Sequence, residues 1–222
     1  MAITGAVSFD LVVFDLDGTL VDSLPDIAGA LNHALAARDA APLALDAVRG
    51  LVGEGVVSLA QRALDLRPAG GTDAVGLARE VVAFYEARPC VASRLYDGIE
   101  AMLESLSRQG RRLAVLTNKP GGVARALLAV LACSHRFEAI IGDGDGYARK
   151  PDPEAARALL ARSSLGPEGM LMVGDGMPDL AFARAAGCAV AAVAWGYTER
   201  ERLRAGKPDF LLEVPSELLD VV

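Results

Sequence analysis

The chain has 222 residues, of which 52% are hydrophobic, and a formal net charge of −7. This composition excludes a disordered or fibrous protein, and the acidic balance argues against nucleic acid as a partner, because neutralising a phosphate backbone requires a basic surface. No apolar stretch approaches the roughly 20 residues of a membrane helix, and no basic segment precedes an apolar one at the N-terminus. We therefore expect a cytoplasmic protein that does not bind membranes.

The first pattern is a short apolar run that ends in two aspartates. Residues 11–14 read Leu-Val-Val-Phe, which predicts a buried strand, and Asp15 and Asp17 follow it. Residues i and i+2 of a strand point to the same side, so both carboxylates should project at the carboxyl end, where open parallel sheets bind ligands. Two adjacent carboxylates repel each other unless a divalent cation shares the site. The alternative interpretation is a plain Asp-Gly turn.

The segment after this strand predicts helices. Ser23 and Pro25 provide an N-cap and first-turn signature for a helix over 26–38. Helical spacing of apolar residues recurs over 46–51, 57–66 and 75–87, and no strand pattern lies between these stretches. Residues 21–92 are therefore predicted to be all-helical.

From residue 93 onward, predicted helices and strands alternate. The predicted helices cover 99–109, 123–132, 153–163 and 178–186, and the predicted strands cover 113–116, 139–141, 170–173 and 190–193. Such alternation predicts a parallel sheet wrapped by helices, to which the strand at 11–14 must belong. We therefore expect a Rossmann-like α/β core formed by 1–20 and 93–222, with 21–92 inserted after the first strand as a helical cap.

Polar residues follow three more of the predicted strands. Thr117 and Asn118 come after the strand at 113–116 and supply a hydroxyl and N–H groups that can hold phosphate oxygens. Lys150 lies in a loop stiffened by two prolines, and Asp175 and Asp179 follow the strand at 170–173. Taken singly, these residues also fit a helix cap, a surface lysine and an Asp-Gly turn. Their joint position at strand ends predicts one shared site.

The same residues, in the same order, resemble the four motifs of the haloacid dehalogenase superfamily. The motifs are Asp-Leu-Asp-Gly-Thr at 15–19, Thr-Asn at 117–118, Lys-Pro at 150–151, and Gly174-Asp175 with Asp179. Dehalogenases and phosphonate hydrolases of this superfamily lack the second aspartate, so the presence of Asp17 resembles the phosphatases. The resemblance implies a Rossmann-like core and covalent phosphoryl transfer through an aspartyl phosphate.

The resemblance also implies a role for each motif residue. Asp15 would be the nucleophile, and Asp17 would protonate the leaving group and then activate water. Mg²⁺ would be the cofactor, held by Asp15, the backbone carbonyl of Asp17 and Asp175. The phosphoryl oxygens would be held by Thr117, the amide of Asn118 and Lys150. Asp179 would either bind the metal or orient Lys150.

The inserted segment resembles the cap of phosphoglycolate phosphatases in Leu-Val-Gly-Glu-Gly at 51–55 and Gln-Arg-Ala-Leu at 61–64. This implies that Gly53, Gly55 and Arg62 bind the substrate, a small phosphate ester that we expect to be 2-phosphoglycolate. Glu54 departs from the uncharged polar residue of the relatives, and Gly176 replaces a hydroxyl. An acidic Glu54 beside an anionic substrate leaves a sugar or amino-sugar phosphate open as the substrate.

Two other activities remain open at this point. A sugar phosphomutase would pass the phosphoryl group to a sugar hydroxyl rather than to water. A receiver-like signalling module would only accept a phosphoryl group, although such a module needs neither Asp17 nor a lid. For quaternary structure we expect a monomer or a homodimer.

Overall fold

The computed structural model describes residues 9–222, so the first eight residues of the predicted core lie outside it. Its strands are β1 (Leu11–Phe14), β2 (Val21–Asp22), β3 (Arg94–Leu95), β4 (Arg112–Pro120), β5 (Ala139–Asp143), β6 (Met170–Gly174), β7 (Ala189–Val193) and β8 (Phe210–Leu212). Its α-helices are α1 (Leu24–Ala36), α2 (Leu45–Arg49), α3 (Val56–Leu66), α4 (Ala74–Ala87), α5 (Ile99–Arg108), α6 (Gly121–Val130), α7 (Glu154–Ser163), α8 (Met177–Ala186) and α9 (Arg200–Ala205).

Six of these strands form one parallel sheet in the order β5-β4-β1-β6-β7-β8. The first strand lies in the middle, because Phe14 is in register with Val115 of β4 on one side and with Val173 of β6 on the other. The predicted Rossmann-like parallel sheet is confirmed. Its carboxyl edge therefore brings together the residues that follow β1, β4 and β6.

The alternation of side chains in β1 builds a core on each face of the sheet. Val12 and Phe14 are fully buried in the cluster that contains the apolar residues of α5 and α6. Leu11 and Val13 are fully buried on the other face, against α7 and α8. A strand that is covered on both faces has no polar position, which explains its uninterrupted apolar run.

Several elements extend beyond the predicted limits or were not predicted. β4 continues through Thr117, Asn118 and Lys119, whose polar side chains indicated a loop but are buried. β8 and α9 were not predicted, because elements of three and six residues are too short to show a period. The prediction that 21–92 is all-helical is wrong for Val21 and Asp22, which pair antiparallel with β3.

Helices α1–α4 pack around a hydrophobic cluster of their own, which includes Leu31, Leu35, Leu77 and Val81. Val123 of α6 joins this cluster and connects it to the sheet. Where the chain returns to the sheet, Asp26 of α1 accepts hydrogen bonds from the backbone N–H groups of residues 91–93. The inserted helices are therefore anchored at both of their connections, through the β2–β3 pair and through Asp26. No helix in the described part of the chain is long and apolar enough to cross a membrane.

Candidate active site

Three carboxylates meet at the carboxyl ends of β1 and β6. Asp15 directly follows β1, and its backbone N–H donates to the Val173 carbonyl at 2.8 Å. Asp175 directly follows β6, and Asp179 lies in the first turn of α8. One oxygen atom from each of the three carboxylates lies within 4.8 Å of the others. The structure thus brings together three of the four residues that were predicted to hold metal.

Lys150 supplies positive charge to this cluster. Its Nζ atom lies 2.8 Å from Asp15 Oδ1 and 2.7 Å from Asp179 Oδ1, and the residue is 5% exposed. The second oxygen of Asp179 accepts the Gly176 N–H at 3.0 Å, so both of its oxygens have protein partners. This geometry favours Asp179 as the residue that orients Lys150. Burial lowers the pKa of Lys150, but Asp15 and Asp179 more than offset this effect and raise the pKa above its ordinary value.

Asp175 is held by two donors. Thr19 Oγ1 donates to one of its oxygens at 3.2 Å, and the Tyr197 backbone N–H donates to the other at 2.7 Å. Gly18, at φ +84°, packs so closely against this carboxylate that a Cβ atom would clash with it. Burial, with the nearby charges of Asp15 and Asp179, raises the pKa of Asp175 to about 8. Burial also raises the pKa of Asp15, while Lys150 limits the rise.

Asp17 lies outside the carboxylate cluster and has different partners. Ser23 Oγ donates to its Oδ1 atom, so Ser23 does not provide the side-chain N-cap bond predicted for α1. Lys119 Nζ lies 3.0 Å from Oδ1 and 3.2 Å from Oδ2 of Asp17. The Tyr197 hydroxyl accepts the backbone N–H of Ser23 at 2.9 Å. Lys119 was not among the predicted site residues, although its position directly after Thr117 and Asn118 was a signal.

Thr117 and Asn118 lie within β4, and their side chains bond to protein atoms. Thr117 Oγ1 accepts the backbone N–H of Lys119 at 3.2 Å. The Asn118 amide accepts the Lys150 N–H at 2.9 Å and donates to the carbonyls of Lys150 and Gly53 at 3.1 and 3.0 Å. The Asn118 side chain therefore ties the loop of Lys150 to the inserted helices, and its backbone amide remains the group predicted to meet substrate.

The turn at residues 53–55 contacts the sheet edge. Gly53 and Gly55 have φ values of +118° and +89°, a backbone region that glycine adopts readily. A Cβ atom on Gly55 would lie 2.5 Å from a guanidinium nitrogen of Arg149, which is the end of a flexible side chain, so the turn requires glycine for its conformation more than for space. Both predicted glycines thus shape the contact between the inserted helices and the core.

Arg62 does not extend freely into the site. Its guanidinium donates to the backbone carbonyls of Gly50 and Leu51, at the end of α2. Glu54 Oε2 lies 3.9 Å from the same guanidinium and accepts the Ser58 hydroxyl at 3.1 Å. The Glu54 side chain is 63% exposed. The acidic residue that departs from the family pattern is therefore partly neutralised by the cation that was predicted to bind substrate.

A cavity of about 650 Å³ lies between the sheet edge and the inserted helices. Lys150 is behind Asp15 and Asp179 and does not line this cavity. The predicted site residues that do line it are Asp15, Asp17, Gly53, Gly55, Arg62, Thr117, Asn118, Asp175 and Asp179.

The fold and the site define an α/β protein with a Rossmann-like parallel sheet, in which clustered carboxylates and a buried lysine lie at the carboxyl edge of the sheet. The model of the haloacid dehalogenase-like hydrolase family matches residues 9–187, and the chain belongs to this family. The resemblance seen in the sequence motifs is thereby confirmed.

Similar proteins agree with this assignment. The phosphoglycolate phosphatase of Rhodospirillum rubrum is 42% identical over 84% of this chain and 80% of its own length. The phosphoglycolate phosphatase of Haemophilus influenzae is 34% identical over 96% of this chain and 98% of its own length. The crystal structure of a protein described as a predicted phosphoglycolate phosphatase from Haemophilus somnus 129pt has a TM-score of 0.90 and 33% identity, covering 96% of this chain and 97% of that one. The chain is a phosphatase, that is, a phosphoric monoester hydrolase.

Proposed function

We propose that this phosphatase hydrolyses 2-phosphoglycolate to glycolate and phosphate, with Mg²⁺ and through an aspartyl phosphate at Asp15. The observation that carries the proposal is the placement of Asp15 between Lys150 and two further carboxylates, at the base of a cavity beneath inserted helices. The relatives at 34–43% identity are named phosphoglycolate phosphatases, which supports this substrate.

The residues present fit a hard divalent cation. Asp15 Oδ1 is buried and makes no hydrogen bond of good geometry, although Lys150 lies close to it. Three carboxylates against one lysine leave excess negative charge, which oxygen-binding Mg²⁺ would neutralise. Asp15, Asp175 and the backbone carbonyl of Asp17 would hold the ion. When bound, Mg²⁺ lowers the repulsion between the anionic nucleophile and the phosphate ester.

The chain's own residues would carry the two chemical steps. In the first step an oxygen of Asp15 attacks phosphorus and the bond from phosphorus to the ester oxygen breaks, while Asp17 gives its proton to the leaving alkoxide. In the second step Asp17, now ionised, removes a proton from water, which attacks phosphorus and releases Asp15. Thr117 and the backbone amide of Asn118 hold the phosphoryl oxygens during both steps.

Lys150 and Asp179 would act behind the nucleophile. Lys150 holds Asp15 by an ion pair and places a positive charge next to the site of phosphoryl transfer. Asp179 keeps Lys150 in this position, because the ammonium group is shared between the two carboxylates. Asp179 is therefore a positioning residue in this proposal and not a direct metal ligand.

Residues 21–92 would serve as a cap that closes over the site. The hydrogen bond from the Asn118 side chain to the Gly53 carbonyl connects the inserted segment to the carboxyl edge of the sheet. A closed cap excludes bulk water, which would otherwise screen the charges that stabilise the transition state. Arg62 would reach the carboxylate end of the substrate from the cap side of the cavity.

Phosphate release from 2-phosphoglycolate tests the proposal. With Mg²⁺ we expect kcat/KM above about 10⁴ M⁻¹s⁻¹, the range of a physiological substrate, and loss of activity when the metal is removed by a chelator. A much lower value, with faster release from a sugar or amino-sugar phosphate, would overturn the substrate assignment. Less than one phosphate released per substrate consumed would indicate a phosphomutase.

A further inference from the structure

Lys119 is a buried cation at the edge of the cavity, and the mechanism above does not use it. It lies on β4 with 8% of its surface exposed, and its ammonium group contacts both carboxylate oxygens of Asp17. Burial lowers the pKa of Lys119, but Asp17 and Tyr85 more than offset this effect and raise the pKa above its ordinary value. Lys119 is therefore the ion-pair partner of the proposed acid and base, at 3.0 Å.

The second partner of Lys119 comes from the inserted helices. The ammonium group lies 4.2 Å from the centroid of the Tyr85 ring, which is the geometry of a cation–π contact. Tyr85 belongs to the last turn of α4 and is 4% exposed. One lysine of the sheet thus contacts Asp17 on one side and the inserted helices on the other.

Asp17 is also held from the beginning of the insertion. Ser23 directly precedes α1, and its hydroxyl donates to the Oδ1 atom of Asp17, which Lys119 also contacts. The two contacts on Asp17 therefore depend on residues at the two ends of the insertion, Ser23 before α1 and Tyr85 in α4.

We propose that Lys119 is a positioning residue for Asp17, and that Tyr85 completes this arrangement when α1–α4 lie against the sheet. The proposal rests on the proposed function, because it requires Asp17 to give a proton to the leaving group. A carboxyl group can protonate an alkoxide only within hydrogen-bond reach of it. The seated helices thereby determine when Asp17 is in place for the reaction.

The test compares two esters that differ in their need for a proton. Glycolate leaves as a basic alkoxide, whereas p-nitrophenolate leaves as a stable anion. The ratio kcat/KM covers the steps up to cleavage of the ester bond, so it does not report on the later attack of water. For Lys119→Met we expect kcat/KM to fall about 100-fold with 2-phosphoglycolate and less than about threefold with p-nitrophenyl phosphate.

Tyr85 provides a test that leaves the buried ion pair in place. Tyr85→Phe keeps the aromatic ring, and we expect it to resemble the wild type with both esters. Tyr85→Leu removes the ring, and we expect it to lower kcat/KM about tenfold with 2-phosphoglycolate alone. If Lys119→Met does not fold, as judged by its melting temperature, the two Tyr85 variants decide the question. Lys207→Met, at an exposed lysine, is the matched control and should leave both values unchanged.

Three results separate the inference from the function it rests on. An equal fall with both esters in Lys119→Met or Tyr85→Leu would show a merely structural role and overturn the inference. No fall in either variant would also overturn it. Asp17→Asn should show the same preference for p-nitrophenyl phosphate, and if it does not, the acid role in the proposed function has failed instead.

Discussion

The sheet edge and the inserted helices contribute to the same cavity in different ways. At the sheet edge, Asp15, Asp175 and Asp179 are held by short bonds to Lys150, to Thr19 and to backbone N–H groups. On the helical side, the Glu54 side chain is 63% exposed, and Arg62 is shared between two backbone carbonyls and Glu54.

This difference shows how the two parts divide the work of the enzyme. Asp175 and Asp179 are buried with both oxygens hydrogen-bonded, so they cannot rearrange cheaply, and the proposed function places the chemistry that all substrates share at this edge. Exposed residues on helices can change without disturbing the core, so the choice of substrate belongs on the helical side. Lys119 and Asn118 connect the two, because each lies on β4 and contacts a residue of the insertion.

The largest effect is expected from Asp15→Asn, at the centre of the sheet edge. An amide is not a nucleophile, so kcat should fall by at least about 10⁴-fold. Circular dichroism should show an unchanged fold, because the two side chains have nearly the same shape. Phosphate release from 2-phosphoglycolate measures the loss, and more than a trace of activity would rule out Asp15 as the nucleophile.

Asp17→Asn should slow the attack of water and let the phosphoenzyme accumulate. Without a base at this position, we expect kcat to fall about 10²- to 10³-fold. Intact-protein mass measurement after mixing with p-nitrophenyl phosphate should reveal one added phosphoryl group. The double variant Asp15→Asn/Asp17→Asn is the control and should show none. Failure to trap the phosphoryl group with this good leaving group would argue against the role of Asp17 in the second step.

Asp26→Asn tests the connection between the two parts. Asp26 accepts hydrogen bonds from three backbone N–H groups and from the Ser93 hydroxyl. Burial raises the pKa of Asp26, but these hydrogen bonds outweigh burial and lower the pKa below its ordinary value. We expect the melting temperature at pH 7 to fall by about 2–5 °C.

The pH dependence of this effect has a definite sign. A carboxylate whose pKa is lowered by folding stabilises the protein above its unfolded pKa of about 3.9, and this contribution is lost as pH falls through the folded pKa. The difference in melting temperature between the wild type and Asp26→Asn should therefore shrink as pH falls below the unfolded pKa of about 3.9. A difference that stays constant over this range would contradict the assignment.

The smallest effect is expected from Glu54→Gln on the helical side. Removal of this exposed charge releases Arg62 and weakens repulsion of an anionic substrate, so KM for 2-phosphoglycolate should fall about two- to fivefold with kcat unchanged. The effect should decrease at high salt, because the residue is exposed to solvent. The matched control is Glu168→Gln, at a glutamate that precedes β6 in the chain, and it should leave KM unchanged. An unchanged KM at low salt would show that Glu54 does not influence substrate choice.

Local patterns predicted most of the fold and the placement of the main site residues. The strands at β1, β6 and β7 and the major helices agree with the predicted ranges within a few residues. Asp15, Asp175 and Asp179 meet as expected, because parallel strands place their carboxyl ends at one edge. The two-residue strands β2 and β3 and the extension of β4 through Asn118 were not predicted, since short or polar strands show no apolar alternation.

Side-chain partners were less predictable than positions. Ser23 fitted a helix cap by type, but its hydroxyl bonds to Asp17. Asn118 was predicted to hold phosphate through its backbone amide, and no partner was predicted for its side chain, which joins Gly53 to Lys150. A polar side chain takes the nearest partner of suitable geometry. The partners of Asn118 are distant in sequence, and the partner of Ser23 lies six residues before it, outside the helix that Ser23 precedes.

The sequence by itself determined the parallel sheet and, through the resemblance of its motifs to a known family, the class of enzyme and the proposed reactive residues. The sheet follows from periods of two and 3.6 residues, which are local properties. Only the tertiary structure decided that Lys119 and Tyr85 meet at Asp17, that Arg62 pairs with Glu54, and that Lys150 lies behind the nucleophile. The contacts of Lys119 and Lys150 join segments far apart in the chain, and burial makes them selective, because a charge removed from water requires a partner at close range. Arg62 and Glu54 are only eight residues apart and partly exposed, and their pairing depends on how the turn at residues 53–55 folds back on α3.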